Sequence, residues 1–284
     1  MSDLPDRRLN AYRSDLAEER LRGLVDALSY TMGSAAICGV PVMALRKEPD
    51  LACGTDTEIL LGETVRLLDS AGGWAWVKAD ADGYVGYVPD FAVVPVTHSP
   101  THIVTVPRTF VYSGADLRFP TVQALSMGSR ITIVDERSTR GTRYFLLESG
   151  QAVVAHHCRA LSEPLAEDYV AIAETFLHTP YLWGGRSGFG IDCSGLVQLS
   201  LSMTGRAAPR DTDMQWAGLG TEIAREDITR GDLVFWTGHV GLMVDDTTLL
   251  HANGHTMSVA HEGLDAAIER IAWLYDLPTG YRRP

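Results

Sequence analysis

Cys193 follows Asp192 directly and precedes Ser194-Gly195-Leu196-Val197, where a loop gives way to an apolar helical run. A thiol in the first turn of a helix meets unpaired N–H groups and the positive end of the helix dipole, which favour the thiolate and lower its pKa. Leu196, Val197, Ser200 and Met203 mark one face at helical spacing and Gly205 supplies a stop, so an amphipathic helix beginning at Cys193 is expected. A cysteine before an apolar helix can equally be a small buried hydrophobe. Nucleophilic chemistry needs an imidazole within hydrogen-bond reach of the sulfur and a third polar group that holds the imidazole's tautomer.

His239 and His251 meet that need. Asp232 to Trp236, His239 to Val244 and Thr248 to His251 alternate as strands around the turns Thr237-Gly238 and Asp245-Asp246, which predicts an antiparallel meander. His239 opens one strand and His251 closes its neighbour, so pairing brings both rings to one edge of the sheet. Cys193 is then the nucleophile, His239 the general base and acid, and His251 the orienting residue. A metal centre is the competing use of such residues, since His156-His157-Cys158 and His251, His255 and His261 are all ligand types. Their spacings match no zinc pattern, and no metal is expected.

The elements that must position these groups fall into a two-part chain. At 284 residues, 45% hydrophobic and 21% charged, the chain is an ordinary globular one with room for about two domains. A net charge of −12 and the lack of Lys/Arg clusters argue against nucleic acid or an anionic membrane as partner. Residues 1–34 form a charged segment, expected to be helical, with no apolar run of signal-peptide length, and no later stretch approaches a membrane span. A cytoplasmic location is expected. Cys38, Cys53, Cys158 and Cys193 form no compact framework and are read as reduced, with a Cys38–Cys53 bridge as the remaining alternative.

A weak internal repeat runs at an offset of 66 residues: Val40-Pro41 recurs as Val106-Pro107, Gly62 as Gly128, and Tyr87-Val88 falls opposite Val153-Val154. Each copy reads as short strands with glycine-rich turns, and about 60 residues suit a small closed barrel. Barrels are therefore expected over 35–97 and 98–163. From 164 to 284 the pattern changes: Tyr169, Val170, Ala173, Phe176 and Leu177 trace a helical face that ends before Pro180, and a short helix is expected from a cap in Pro209-Arg210-Asp211-Thr212 through Trp216.

Five motifs now stand in order: Pro180-Tyr181-Leu182-Trp183-Gly184-Gly185, Asp192-Cys193-Ser194-Gly195-Leu196-Val197, Pro209-Arg210-Asp211, Gly231-Asp232-Leu233-Val234-Phe235-Trp236 and His239-Val240-Gly241. Residues 166 to 284 on this basis resemble the NlpC-type cysteine peptidases, papain-like enzymes that cut bacterial cell-wall peptides. The resemblance implies an α+β fold, with a papain-like catalytic domain preceded by two small all-β Src-homology-3-like barrels. It places nucleophile, base and third residue on Cys193, His239 and His251, the residues already chosen on chemical grounds. It also implies oxyanion stabilisation by Tyr181 with the Cys193 N–H, and such donors commonly contribute about 2.7–4 kcal/mol each. Tyr181 and Trp183 are otherwise core packing.

The layout of barrels and catalytic domain resembles the intracellular γ-D-glutamyl-L-diamino-acid endopeptidases of wall-peptide recycling. That implies cleavage between D-glutamate and a diamino acid in peptidoglycan-derived peptides with a free N-terminal L-alanine, with no cofactor. Binding of the free ammonium would fall to Asp192 and to Tyr84 of the first barrel. A carboxylate beside a thiol raises the thiol pKa, so holding a cation is its better use, although Asp192 also suits a helix cap. Tyr84 is equally a packing residue, and Tyr87 stands where the family has tryptophan. An acidic partner from the first barrel is expected at Glu63 or Glu58. Ser194 and Thr212 would line the pocket through their hydroxyls, Thr212 being equally a helix cap. Two other classes stay open: a Cys/His amidase or acyltransferase acting elsewhere, and a non-catalytic wall-binding module, against which the presence of both Cys193 and His239 argues.

Overall fold

A computed structural model describes residues 4–164 and 166–284. Residues 1–3 of the charged segment, and position 165 at the expected onset of the helical pattern, lie outside them. The chain forms two compact units, 1–162 and 163–284. No helix among the described residues is long and apolar enough to cross a membrane.

The charged segment is not helical where it is described. It holds β1 (Leu16–Glu18) and β2 (Ser29–Thr31), paired in parallel, with one 3-10 turn at Glu19–Leu21. Apart from Arg22–Glu19, three residues apart, its described local ion pairs have a spacing that does not suit a helix. Arg8 binds Asp6, Arg13 binds Asp15 and Arg20 binds Glu18, all two residues apart, a spacing that a helix turns to different faces. Its apolar residues Tyr12, Ala17, Leu21 and Val25 bury against one another instead. Arg13 also bonds Asp69 at 2.7 Å and lies 4.5 Å above the Trp76 ring, which fastens the segment to the barrel that follows.

That barrel contains β3 (Ser34–Cys38), β4 (Val42–Arg46), β5 (Thr55–Leu60), β6 (Thr64–Ala71), β7 (Trp74–Ala79), β8 (Val85–Pro89) and β9 (Val93–Pro95), in the order β5-β4-β8-β7-β6-β3-β9. Alternate residues such as Met43, Leu45, Val65, Ala75, Val77 and Val88 fill its interior. The second all-β portion contains β10 (His102–Val104), β11 (Arg108–Tyr112), β12 (Thr121–Ser126), β13 (Arg130–Ile131), β14 (Asp135–Thr139), β15 (Thr142–Leu146), β16 (Ala152–Val154) and β17 (Cys158–Ala160). These make sheets of order β12-β11-β16-β15-β14 and β13-β10-β17.

The repeat has a hydrogen-bonded basis. Cys38 N bonds Glu63 O, Gly62 N bonds Cys38 O and Leu61 N bonds Pro41 O; Val104 N bonds Ser129 O, Gly128 N bonds Val104 O and Met127 N bonds Pro107 O at the same offset. Gly62 and Gly128 turn the chain with φ of 76° and 90°, the left-handed region glycine enters without cost.

The second unit sets three small helices and one longer one against a six-stranded sheet. In chain order come α1 (Tyr169–Glu174), β18 (Arg186–Ser187), β19 (Gly190–Ile191), α2 (Cys193–Ser202), α3 (Thr212–Gly218), β20 (Thr221–Ile223), β21 (Leu233–Trp236), β22 (His239–Met243), β23 (Thr248–Asn253), β24 (Ser258–Gly263), α4 (Leu264–Tyr275) and β25 (Gly280–Arg283). The sheet order is β20-β25-β21-β22-β23-β24, and the expected meander is its antiparallel centre. Helix α2 departs from the expected amphipathic pattern: every residue from Cys193 to Leu201 is buried. A helix buried on every face is a core helix, and its polar Ser194, Gln198 and Ser200 are enclosed with the rest.

Replacing Arg13 with alanine removes the charged and stacked contacts that fasten the N-terminal segment. Arg13→Ala is expected to lower unit stability by about 1–2 kcal/mol and to speed proteolytic cleavage before Ser34, read by urea midpoint and limited proteolysis.

Candidate active site

Asp192 starts the site. Its backbone is extended (φ −97°, ψ 179°) and its Oδ1 accepts the Gly195 N–H at 2.7 Å, an N-cap that makes Cys193 the first residue of α2. Gly195 is required there, since a Cβ would stand 2.4 Å from the Gly185 carbonyl oxygen. The carboxylate does more than cap. Arg210, 1% exposed, donates from Nη2 to Oδ2 at 2.7 Å and from Nη1 to Oδ1 at 3.0 Å, while Gly184 N–H reaches Oδ2 at 3.0 Å and Ser194 Oγ lies 3.3 Å from Oδ1.

A carboxylate offers about four lone-pair positions, and these donors already occupy it. Of the two uses the sequence allows for Asp192, the geometry shows the cap. An ammonium would have to share oxygens that hold Arg210. The Ser194 hydroxyl is likewise drawn inward, accepting from Arg210 Nη1 at 2.9 Å. Thr212 is the first residue of α3, whose cap position is Asp211, and its Oγ1 is 3.9 Å from Cys193 Sγ.

The thiol is not a resting thiolate. Loss of solvent first, and then the Asp192 charge, push Cys193 up to about 11, against smaller lowering contacts from the Val240 N–H and the Thr212 hydroxyl. This corrects the expectation that the helix start alone lowers it: in a buried first turn, desolvation outweighs the dipole. Cys38 and Cys158 are pushed up to about 12 by burial, and all four cysteines are free thiols. What distinguishes Cys193 is its company.

The tight Thr237-Gly238 turn, with Gly238 at φ 75°, joins β21 to β22 and pairs Trp236 with His239. Pairing of Leu242 with Leu250 carries His251 onto the same face of the sheet as His239. His239 Nε2 then lies 3.0 Å from His251 Nδ1, as the meander predicts. That contact uses Nε2 and leaves Nδ1 as the ring nitrogen available to a thiol. Burial, followed by the neighbouring His251, lowers His239 to about 3, so the imidazole rests neutral. A neutral thiol beside a neutral imidazole can react by passing the proton as the sulfur attacks.

Two residues that sequence reasoning missed complete this side. Glu262 on β24 lies with Oε2 3.2 Å from His251 Nε2, and Arg270 of α4 grips Glu262 in a fork at 2.6 and 2.8 Å. Those bonds hold Glu262 ionised, down to about 2. The available signal was period-two spacing on β24, which brings Glu262 to the His251 face. Arg210 was read only as part of a motif, although its place between a proline and an aspartate gave no sign of full burial.

Tyr181, Trp183, Gly238, His239, Arg270 and Trp273 line a cavity of about 670 Å³ together with other residues of the unit. Tyr181 N bonds Met257 O, and its phenol is shifted upward by burial and by Cys193 and Asp192, so the hydroxyl stays a donor. Trp183 is 72% exposed on the cavity wall and is not core packing.

In the first unit, Tyr84 is buried in the barrel core and borders a separate cleft with Trp76 and Tyr87. Glu63 is buried and accepts the Leu60 N–H at 2.8 Å, closing a turn, while Glu58 is buried on β5. Among the described residues no trio of His, Cys, Asp or Glu is arranged to hold a metal ion. His157 bonds Thr109 and His261 lies 3.8 Å from Glu174.

Comparison with known proteins follows the same division. The NlpC/P60 family profile matches residues 178–269, and that of the bacterial dipeptidyl-peptidase Sh3 domain matches 45–93. The chain is 26% identical to a γ-D-glutamyl-L-lysine dipeptidyl-peptidase of Bacillus cereus over 69% of this chain and 67% of the relative. It is 29% identical to the Bacillus subtilis protein of the same name, over 69% of this chain and 71% of the relative. In three dimensions it is similar to a crystal structure of an NlpC/P60 family protein from Bacillus cereus, with a TM-score of 0.74 and 23% identity, covering 88% of this chain and 99% of the other. That likeness supports the fold.

Breaking a buried ion pair leaves an uncompensated charge. Arg210→Met is therefore expected to cost about 3–5 kcal/mol of stability by denaturant unfolding, with Asp192→Asn/Arg210→Met recovering part of it.

Proposed function

We propose that this chain, whose second unit belongs to the NlpC/P60 family of cysteine peptidases and whose first barrel is a bacterial dipeptidyl-peptidase SH3 domain, hydrolyses the γ-D-glutamyl bond to a diamino acid in short peptidoglycan-derived peptides. The observation that carries the chemistry is the His239 Nε2 to His251 Nδ1 contact of 3.0 Å on the strand beside the Cys193 helix start. The names of the relatives carry the substrate class.

In this reading Cys193 attacks the γ-carbonyl while His239 Nδ1 takes its proton. His251 accepts from His239 Nε2–H and so keeps the base in the productive tautomer. The oxyanion is met by the Cys193 N–H and the Tyr181 hydroxyl, collapse returns the proton from His239 to the leaving amine, and water cleaves the thioester with His239 as base again. Trp183 walls the cavity beside the reacting groups. Every step is proton transfer and acyl transfer, for which the side chains in place suffice.

A dipeptidyl-peptidase releases a dipeptide from an amino terminus, and we extend that property to this chain: the substrate enters with its L-alanine amine free. Asp192, one residue from the proposed nucleophile, and Tyr84, Glu63 or Glu58 of the first barrel are the residues that the family resemblance assigns to that end; Ser194 and Thr212 are proposed to line the pocket, Thr212 with its Oγ1 3.9 Å from Cys193 Sγ. The part proposed for Asp192 is indirect, because Arg210 holds its oxygens. A role in recycling released wall peptides inside the cell fits four free thiols and a requirement for a free amine.

Cys193→Ala is expected to remove hydrolysis of L-Ala-γ-D-Glu-diaminopimelate to below one part in about 1,000 while leaving the unfolding midpoint near that of the parent. Acetylating the L-alanine nitrogen should abolish cleavage by the parent enzyme without slowing alkylation of Cys193. Equal turnover of free and acetylated peptide, followed by chromatography of the released dipeptide, would reject the amino-end reading and leave the cysteine chemistry intact.

A further inference from the structure

The base of a cysteine hydrolase works only if its proton sits on the nitrogen away from the sulfur. His239 Nε2 faces His251 Nδ1 at 3.0 Å, and of these two nitrogens one must donate and the other accept. Two arrangements satisfy that contact. In one, His239 carries Nε2–H and keeps a lone pair on Nδ1; in the other, His251 carries Nδ1–H, and a neutral His239 must then carry its proton on Nδ1, where it cannot act as base. His251 decides between them, and its choice depends on what lies at its own far nitrogen.

The far nitrogen meets a carboxylate. The His251 side chain is fully buried, so its Nε2 has no bulk water to turn to; Glu262 Oε2 lies 3.2 Å away, off the line of an N–H bond, so the carboxylate acts on this nitrogen as a nearby charge and not through a made hydrogen bond. On β24, Ala260 pairs with His251, which sets Glu262 two residues along on the same face. Arg270 grips both Glu262 oxygens at 2.6 and 2.8 Å from one turn and a half into α4. An ionised carboxylate can only accept, and therefore favours His251 with its proton on Nε2.

We infer that Glu262 and Arg270 are positioning residues for the reaction: the Glu262 carboxylate, aimed by Arg270, fixes the His251 tautomer, which fixes the His239 tautomer and leaves His239 Nδ1 free to take the thiol proton. This rests on the cysteine-hydrolase reading of Cys193 and His239 and is independent of which peptide is cut. The ion pair also ties α4 to the sheet, and a purely structural clip is the alternative to be separated.

The two charges act on the His239 imidazole with opposite sign. The Glu262 carboxylate favours protonated His239 and the Arg270 guanidinium opposes it, alongside His251. The other titratable groups toward this corner, among the described residues, are Cys193 on α2 and Tyr181, both pushed toward their neutral forms, and His255 and Tyr275 on the cavity wall. Removing the carboxylate while Arg270 remains makes His239 harder to protonate, and removing the guanidinium while Glu262 remains makes it easier to protonate.

The experiment is the pH dependence of Cys193 alkylation by iodoacetamide, followed by mass of the peptide that contains Cys193, for the parent, Glu262→Gln and Arg270→Met. Glu262→Gln should move the acid limb down by about one pH unit and Arg270→Met should move it up by a similar amount. Glu262→Gln should also lower the alkylation rate at neutral pH about 10-fold, and Arg270→Lys should leave the limb near its parent position. Limbs that stay put, or that move in the same direction in both variants, overturn the inference and leave the pair a structural clip. Because no peptide substrate enters the assay, failure to cleave γ-D-glutamyl peptides would count against the proposed function alone.

Discussion

The buried Asp192–Arg210 pair is the interaction on which the catalytic unit depends. Its two short bonds bring together the residue that caps α2 and the segment leading into α3, and the same carboxylate draws in the Gly184 N–H from the preceding loop. Cys193, the proposed nucleophile, is the next residue after this junction. A charge pair so enclosed is expensive to bury, and its survival requires that each lone pair and each guanidinium N–H find a partner. The loop before α2, the helix start and the turn before α3 therefore have one common geometry, which places Cys193 opposite the strand that begins with His239. Specificity of structure, more than stability, is what this pair supplies in our account.

From that junction two different environments follow for two adjacent residues. Asp192 is gripped by both Arg210 donors at 2.7 and 3.0 Å, whereas Cys193 is desolvated and pushed toward the thiol form. His239 is desolvated in the opposite sense, toward the neutral imidazole. Both shifts favour the neutral forms at rest, so in the proposed mechanism charge develops only as the bond to carbon forms, with the Cys193 N–H and the Tyr181 hydroxyl as the proposed donors. Burial thus acts as part of the chemistry: it withholds the ion pair until there is an oxyanion and a leaving amine to use it.

Much of this was legible in the sequence where local chemistry decides structure. The cap at Asp192, the stop at Gly205, the Thr237-Gly238 hairpin and the alternation around His239 and His251 are signals within a few residues of one another, and each element forms where it was expected. The repeat was legible through glycines at fixed spacing, because only that residue type suits the two left-handed turns. Partners distant in sequence were less readable. Arg210 was legible only as part of the Pro209-Arg210-Asp211 turn, and nothing local told that its charge would be buried against Asp192. Glu262 and Arg270 form a pair that exists only once β24 lies beside β23. The charged N-terminal segment misled for the same reason: its composition suits a helix, but its ion pairs two residues apart and its contact with Trp76 favour an extended path. The loss of thiolate character at Cys193 is likewise a property of the packed core around α2.

The central claim is that Cys193 carries the acyl group of the dipeptide during turnover. Rapid quenching of the enzyme with L-Ala-γ-D-Glu-diaminopimelate in acid, followed by peptide mass spectrometry, tests it directly. The account predicts a transient adduct of the mass of the L-Ala-γ-D-Glu acyl group on the peptide containing Cys193, appearing before steady state and released by hydroxylamine. Turnover at full rate with unmodified Cys193 at every quench time, and the adduct absent or on another residue, would contradict it.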